Sequence, residues 1–179
     1  MTVFISGGVK NGKSYHAQQI AKKLSGDGAL YYLATMVPHD NEDEARISRH
    51  IKDRDGMGFQ TIECPNVINS CLEKANPEGV FLLDSTTALL ANEMFLEDGC
   101  VKYEAAEKVA EALCDLAEKV KGLVVVSDFI YSDAVRYDEL TEAYRKGLAH
   151  IDKALARCFS TVLEICGGTV FCHKGELNI

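Results

Sequence analysis

The chain has 179 residues, a length that suits one domain, residues 1–179. Hydrophobic residues make up 47% and charged residues 26%, the balance of a globular protein, which excludes disordered and fibrous classes. With 27 acidic against 19 basic side chains the net charge is −8, which disfavours nucleic acid or an anionic membrane surface as the main partner.

The opening residues Met1–Ser6 are too short an apolar run for a signal peptide, and Gly7-Gly8 interrupts them. No stretch approaches the roughly 18 apolar residues of a membrane span, so a soluble, cytoplasmic protein is expected. Short apolar runs then alternate with helical patterns. Strand Val3–Ser6 precedes a helix over 13–25, strand Ala29–Ala34 a helix over 42–54, and strand Phe59–Glu63 a helix over 67–75. Strand Val80–Asp84 is followed by helices over 86–97 and 102–121, and strand Leu123–Ser127 by a helix over 138–158. Val80-Phe81-Leu82-Leu83 and Leu123-Val124-Val125-Val126 are continuously apolar, as strands buried on both faces of a parallel sheet are. The helix over 138–158 carries Leu140, Tyr144, Leu148, Ile151 and Leu155 as one stripe. The end, Thr161–Cys166, Gly167-Gly168 and Thr169–His173, reads as a two-residue hairpin. The expectation is an α/β three-layer fold, mostly parallel, with a C-terminal antiparallel hairpin.

Seven cysteines (Cys64, Cys71, Cys100, Cys114, Cys158, Cys166, Cys172) include no C-x-x-C pair or zinc spacing. A chain of this length buries enough surface to fold without disulfides, so reduced, mostly buried thiols are expected.

Gly7-Gly8-Val9-Lys10-Asn11-Gly12-Lys13-Ser14 satisfies G-x-x-x-x-G-K-[ST] and lies between the first strand and the first helix. Backbone N–H groups and the helix N-terminus would cradle phosphates, an exposed Lys13 would reach the β- and γ-phosphates, and Ser14 would ligate Mg²⁺. Asp84, at the end of an apolar strand, is the first candidate for a second magnesium-associated residue, and Asp128 is its rival. The chain lacks the N-K-x-D string of a GTPase guanine clamp, and a small-molecule kinase stays open.

Helix 42–54 places Arg46, His50 and Arg54 at i, i+4 and i+8 on one face. Two cations beside an imidazole would keep it neutral, hold a triphosphate against it, and let a ring nitrogen attack phosphorus. The same spacing also describes a solvated helix face. Asp40–Glu44 reads as a solvated, helix-starting loop.

Several stretches, in order, resemble the bifunctional adenosylcobinamide kinase / adenosylcobinamide-phosphate guanylyltransferase family of cobalamin biosynthesis. Phe4–Ser14 resembles its first strand and phosphate loop, Tyr32-Leu33-Ala34-Thr35 its Y-[IL]-A-T strand end, and Arg46–Arg54 its R-I-x-x-H-x-x-x-R helix. Thr61-Ile62-Glu63 is similar to its T-x-E segment and Leu82–Thr87 to its L-L-D-x-x-T. The resemblance implies a P-loop, RecA-like sheet and a homotrimer that phosphorylates adenosylcobinamide with ATP or GTP. The enzyme then passes GMP from GTP to the new phosphate through a histidine. It makes His50 the nucleophile and Gly7–Ser14 the phosphate cradle. It makes Ala34, Thr35, Met36, Arg46, Ile51, Lys52, Asp53, Arg54, Glu63 and Asp84 nucleotide contacts. The alternatives are a P-loop kinase for another small alcohol, with His50 only binding phosphate, and a nucleotide-binding regulatory module.

The chain departs from the family pattern at Asp55, where proline is usual, and at Phe59, where tryptophan is usual. It departs most at Ser127–Asp133, where the family carries N-E-V-G-x-G-[IV]-V-P. Phe129–Ser132 cannot follow a glycine-shaped backbone. His16, His150 and His173 read as structural, His39 and Asp40 as a solvated turn, and Tyr131, Tyr137 and Tyr144 as packing residues.

Overall fold

The apolar runs of the inner strands serve two faces at once. In a computed structural model that describes residues 1–38 and 40–176, these runs form the expected strands: β1 (Thr2–Gly7), β2 (Leu30–Ala34), β3 (Gln60–Glu63), β4 (Val80–Asp84), β5 (Gly122–Asp128), β6 (Thr161–Cys166) and β7 (Thr169–Lys174). They join in one sheet of order β3-β2-β4-β5-β1-β6-β7. Every neighbouring pair is parallel except β6 and β7. There Gly167 and Gly168, both at positive φ, close the expected two-residue hairpin.

Alternate residues of each inner strand enter opposite cores, because successive side chains of a strand point to opposite faces. Phe4, Tyr31, Leu33, Phe81, Leu83, Leu123 and Val125 pack under one set of helices. Val3, Ile5, Leu30, Tyr32, Val80, Leu82, Val124 and Val126 pack on the other side, against Ala17, Ile20 and Ala21 of α1 (Lys13–Ser25). The first face is covered by α3 (Thr86–Met94), α4 (Ala105–Lys119), α5 (Glu139–Cys158) and a 3-10 helix (Ile68–Glu73), where a longer helix over 67–75 was expected. In α5, Leu148, Ile151 and Leu155 are fully buried, whereas Leu140 lies in an exposed first turn beyond the core.

The last helix, α2 (Asn41–Asp53), buries no residue. It is fixed at its ends instead. Asp40 Oδ1 accepts the N–H groups of Glu42 and Asp43 at 2.8 and 2.9 Å, so Asp40 is an N-cap rather than a solvated turn. His39 lies outside the described residues.

The cysteines depart from expectation. Packing of α4 against α5 brings Cys114 and Cys158, 44 positions apart, to a Cα separation of 6.2 Å, and they form a disulfide. Of the free thiols, Cys64 and Cys71 are buried and Cys100, Cys166 and Cys172 exposed. Among the described residues no helix is long and apolar enough to cross a membrane.

One acid sits inside the α5 face of the core. Asp152 is buried and accepts the Tyr131 phenol at 2.9 Å. Burial pushes its carboxyl up to about 6, partly offset by the hydroxyls of Ser127 and Tyr131. A carboxyl that holds its proton more tightly when folded stabilises the chain most below about pH 4, and that contribution is lost as pH rises through about 6. Asp152→Asn keeps an oxygen for Tyr131 and removes the buried charge. It is expected to match the parent below about pH 4 and to exceed it at pH 7–8 by an amount on the order of 2–3 kcal/mol. Urea unfolding across that pH range measures the difference.

Candidate active site

The carboxyl ends of β1, β2, β4 and β5 meet at one edge of the sheet, where open α/β sheets gather their ligands. The chain leaves β1 through Gly7, whose φ is +155°. A Cβ there would lie 2.3 Å from the Ile165 carbonyl oxygen of β6, so only glycine lets the loop start this close to its neighbour. Asn11 donates its side-chain amide to that same carbonyl. Lys10 and Gly12 are turned to positive φ, and α1 then begins with no side-chain cap and no acid in its first turn. The free N–H groups at that end form an anion site.

Lys13 is not the exposed loop lysine that the sequence suggested. Its ammonium is 5% exposed, donates to Gly8 O at 2.6 Å and pairs with Asp128 Oδ1 at 2.8 Å. The other oxygen of Asp128 accepts the Thr87 hydroxyl at 3.1 Å. Asp84, the first candidate, is buried at the end of β4. Burial raises its carboxyl above the usual range, and the hydroxyl of Ser14 and the ring of His50 pull it back down. His50 Nδ1 approaches Asp84 Oδ2 at 3.9 Å, and neither atom has a hydrogen-bond partner.

Between these groups lies a cavity of about 680 Å³. Val9, Lys10, Asn11, Gly12, Lys13 and Ser14 line its floor, Ala34, Thr35 and Met36 one wall, and Glu63, Asp84 and Asp128 its acidic edge. The face of α2 supplies Arg46, Ile51, Asp53, Arg54 and His50, together with Arg49, which the i, i+4, i+8 reading passed over. Gly7, Gly8 and Lys52 are not on the cavity wall. Gly7 and Gly8 shape the loop beneath it, and Lys52 is exposed on α2 away from it.

The surroundings of His50 differ from the expected pair of flanking cations. Its Nδ1 faces the Asp84 carboxylate. Arg54 is drawn to the sheet, its guanidinium 4.0 Å over the ring of Tyr32 and donating to Thr61 Oγ1 at 3.1 Å. A planar guanidinium gains more from an aromatic face and a fixed hydroxyl acceptor than from solvent, so Arg54 anchors the end of α2. Arg46 and Arg49 are exposed at the cavity.

The residues present fit Mg²⁺. Asp84 has a buried oxygen with no hydrogen-bond partner beside the Ser14 hydroxyl, a pair of hard oxygen donors. No cluster of three or more His, Cys, Asp or Glu exists among the described residues. Magnesium is commonly held by one or two carboxylates with phosphates and water, which is the arrangement these two residues allow.

Beyond β5, side chains rather than glycines hold the segment that departs most from the family pattern. Tyr131 is bonded to Asp152, and the ring centroids of Phe129 and Tyr131 lie 4.7 Å apart. Arg145 donates to Ile130 O, Asp133 Oδ1 and Glu142 Oε1 and lies 4.6 Å from the Tyr137 ring. His16 stacks edge-on with Tyr15 off the cavity, His150 is exposed, and His173 pairs with Glu164 across the terminal hairpin at 2.8 Å.

A KaiC-like protein from Pyrococcus horikoshii OT3 superposes with a TM-score of 0.52 at 13% identity, covering 98% of this chain and 79% of that one. Another protein of that organism gives 0.56 at 9%, covering 99% and 87%. An ATPase domain gives 0.51 at 11%, covering 91% and 68%. The fold is the P-loop, RecA-like one. In sequence, the chain is 32% identical over 180 residues to the bifunctional adenosylcobalamin biosynthesis protein CobU of Escherichia coli K12, spanning 94% of this chain and 97% of that protein. The protein of the same name from Salmonella typhimurium is 32% identical over 101 residues, 55% of this chain and 53% of that protein. A model of the cobinamide kinase / cobinamide phosphate guanyltransferase family matches residues 3–172, and the chain belongs to that family.

Proposed function

We propose that the chain phosphorylates the hydroxyl of adenosylcobinamide with ATP or GTP and then transfers GMP from GTP to the new phosphate through a covalent adduct on His50. The observation that carries this reading is the place of His50, on the same cavity as the phosphate loop with Nδ1 turned toward Asp84. An Nδ1–H on the carboxylate side leaves Nε2 as the nitrogen with a free lone pair, and the acid offsets the charge that the ring gains on attack. Nε2 attacks the α-phosphorus of GTP, the bond to the β-phosphate breaks, and pyrophosphate leaves. The acceptor phosphate then takes GMP from the ring. Lys13, the amides of Gly7–Ser14 and the start of α1 stabilise charge on the phosphates, and Arg46 and Arg49 supply further cations. Magnesium on Ser14 and Asp84 would add charge neutralisation there.

The reading extends to a homotrimer, the assembly that the resemblance implies. The half-exposed Phe171 on edge strand β7 is a surface open to another copy. Sedimentation equilibrium reads the mass.

His50→Ala is expected to lose the GMP adduct and pyrophosphate release while keeping alcohol phosphorylation, in which the acceptor hydroxyl attacks the γ-phosphate directly and the imidazole takes no part. The measurement is acid-labile, hydroxylamine-sensitive label from α-labelled GTP, with phosphorylated cobinamide assayed in parallel. Undiminished label on the variant would move the nucleophile elsewhere. A wild-type protein that phosphorylates but takes no label would leave a plain kinase.

Lys13→Ala is expected to lower both half-reactions by at least about a hundredfold, because both develop charge on phosphates that this ammonium serves. It should also lower stability by about 1–2 kcal/mol, since it leaves Asp128 without its cation. Thermal melting and the two assays read the two effects separately.

A further inference from the structure

Consecutive residues of the chain line two separate cavities. Asp128 lines the phosphate cavity, and Phe129 begins a second one of about 430 Å³, walled by Ile130, Asp133, Tyr137, Tyr144 and Arg145. The charge of Arg145 is already spent on Asp133 and Glu142. The second cavity therefore offers aromatic faces, hydroxyls and backbone carbonyls to a ligand and no unpaired cation. It suits a neutral, amide- and hydroxyl-bearing molecule better than an anion.

Alcohol phosphorylation requires a group that removes the hydroxyl proton within reach of the attacked phosphorus. Two carboxylates stand at the phosphate loop. Asp84 is buried against Ser14 and His50, where a metal fits. Asp128 is 29% exposed and held at both oxygens, one on Lys13 and the other on Thr87. A γ-phosphate that draws Lys13 onto itself would leave Asp128 beside that phosphate with one oxygen free, one residue along the chain from the second cavity.

We propose that Asp128 is the base of the phosphoryl-transfer step, accepting the proton of an alcohol delivered from the second cavity. The O–H bond breaks toward the Asp128 carboxylate, the hydroxyl oxygen forms its bond to the γ-phosphorus, and the bond to the β-phosphate breaks. The electron pair leaves with the nucleoside diphosphate, and the proton passes from Asp128 to water as products depart. This rests on the kinase half of the proposed function; in GMP transfer to His50, a step with no hydroxyl to deprotonate, Asp128 only holds Lys13.

The test compares half-reactions on Asp128→Asn, which keeps an amide oxygen for Lys13 and turns an NH2 donor toward the Thr87 hydroxyl. The kcat for cobinamide phosphorylation is expected to fall about 10²–10⁴-fold, while GMP labelling from GTP without acceptor stays within about tenfold of wild type. Equal losses in both would show that Asp128 only orients Lys13, and unimpaired phosphorylation would show that it is no base; either overturns the proposal. Tyr137→Ala tests the side of approach. It should raise the KM for cobinamide at unchanged nucleotide KM, and an unchanged cobinamide KM overturns delivery from that cavity. A wild-type protein with no cobinamide phosphorylation would overturn the kinase reading and this proposal together, whereas loss confined to Asp128→Asn separates them.

Discussion

The ion pair between Lys13 and Asp128 joins the phosphate loop to the strand beside it, and the rest of the site is arranged around it. Its geometry depends on β1 lying between β5 and β6, parallel to both, so that Gly7 is level with Asp128 on one side and Ile165 on the other. Phe129 N–H bonds to Gly7 O at 2.9 Å and Asn11 bonds to the Ile165 carbonyl, so the loop is tied to both neighbours before any ligand arrives. A lysine this buried needs a counter-charge, since an unpaired ammonium in such a place would be strongly disfavoured. The pair therefore does two things. It holds the cation where phosphates bind, and it keeps a carboxylate within reach of those phosphates.

On the opposite rim, α2 is attached differently. It contributes nothing to either core cluster, and its charged side chains are turned to the cavity and to solvent. What positions it is the Asp40 cap at one end and Arg54 on Tyr32 and Thr61 at the other. A helix held by a cap and one guanidinium opens at a lower free energy than one seated in the core, because little apolar area is exposed when it moves. That matches the chemistry proposed for His50, which must meet an α-phosphate in one step and release GMP to a bulky acceptor in the next. Tyr32 links this rim to the interior, since its ring belongs to the core under α1 while its outer face carries Arg54.

Much of this was legible in the sequence. Continuous apolar runs betrayed a two-sided parallel sheet, Gly167-Gly168 marked the antiparallel end, and the phosphate loop declared itself by spacing in the right context. The parts that were not legible are those decided by packing between distant segments. The Cys114–Cys158 bridge depends on the angle at which α4 meets α5. Periodicity put Arg46, His50 and Arg54 on one face, yet could not show that an aromatic ring of the preceding strand would claim Arg54, or that a carboxylate would face His50. Asp128 was visible only as one of two acids at strand ends. The signal separating them is strand order, because β5, not β4, is the hydrogen-bonded neighbour of β1.

The segment after β5 shows how one backbone solution can be exchanged for another. A glycine- and proline-shaped loop fixes its course through allowed dihedrals, whereas Phe129–Asp133 must be fixed by side chains. Asp152 and Arg145, about two turns apart on α5, do this from below: one receives Tyr131, the other grips Ile130 O and Asp133. Both are polar groups buried on a helix whose remaining inward positions are apolar, and Asp152 bears its charge at an energetic cost. That cost is the physical counterpart of the changed loop. Stability is given up to hold aromatic side chains, instead of glycines, where the chain passes from one cavity lining to the other.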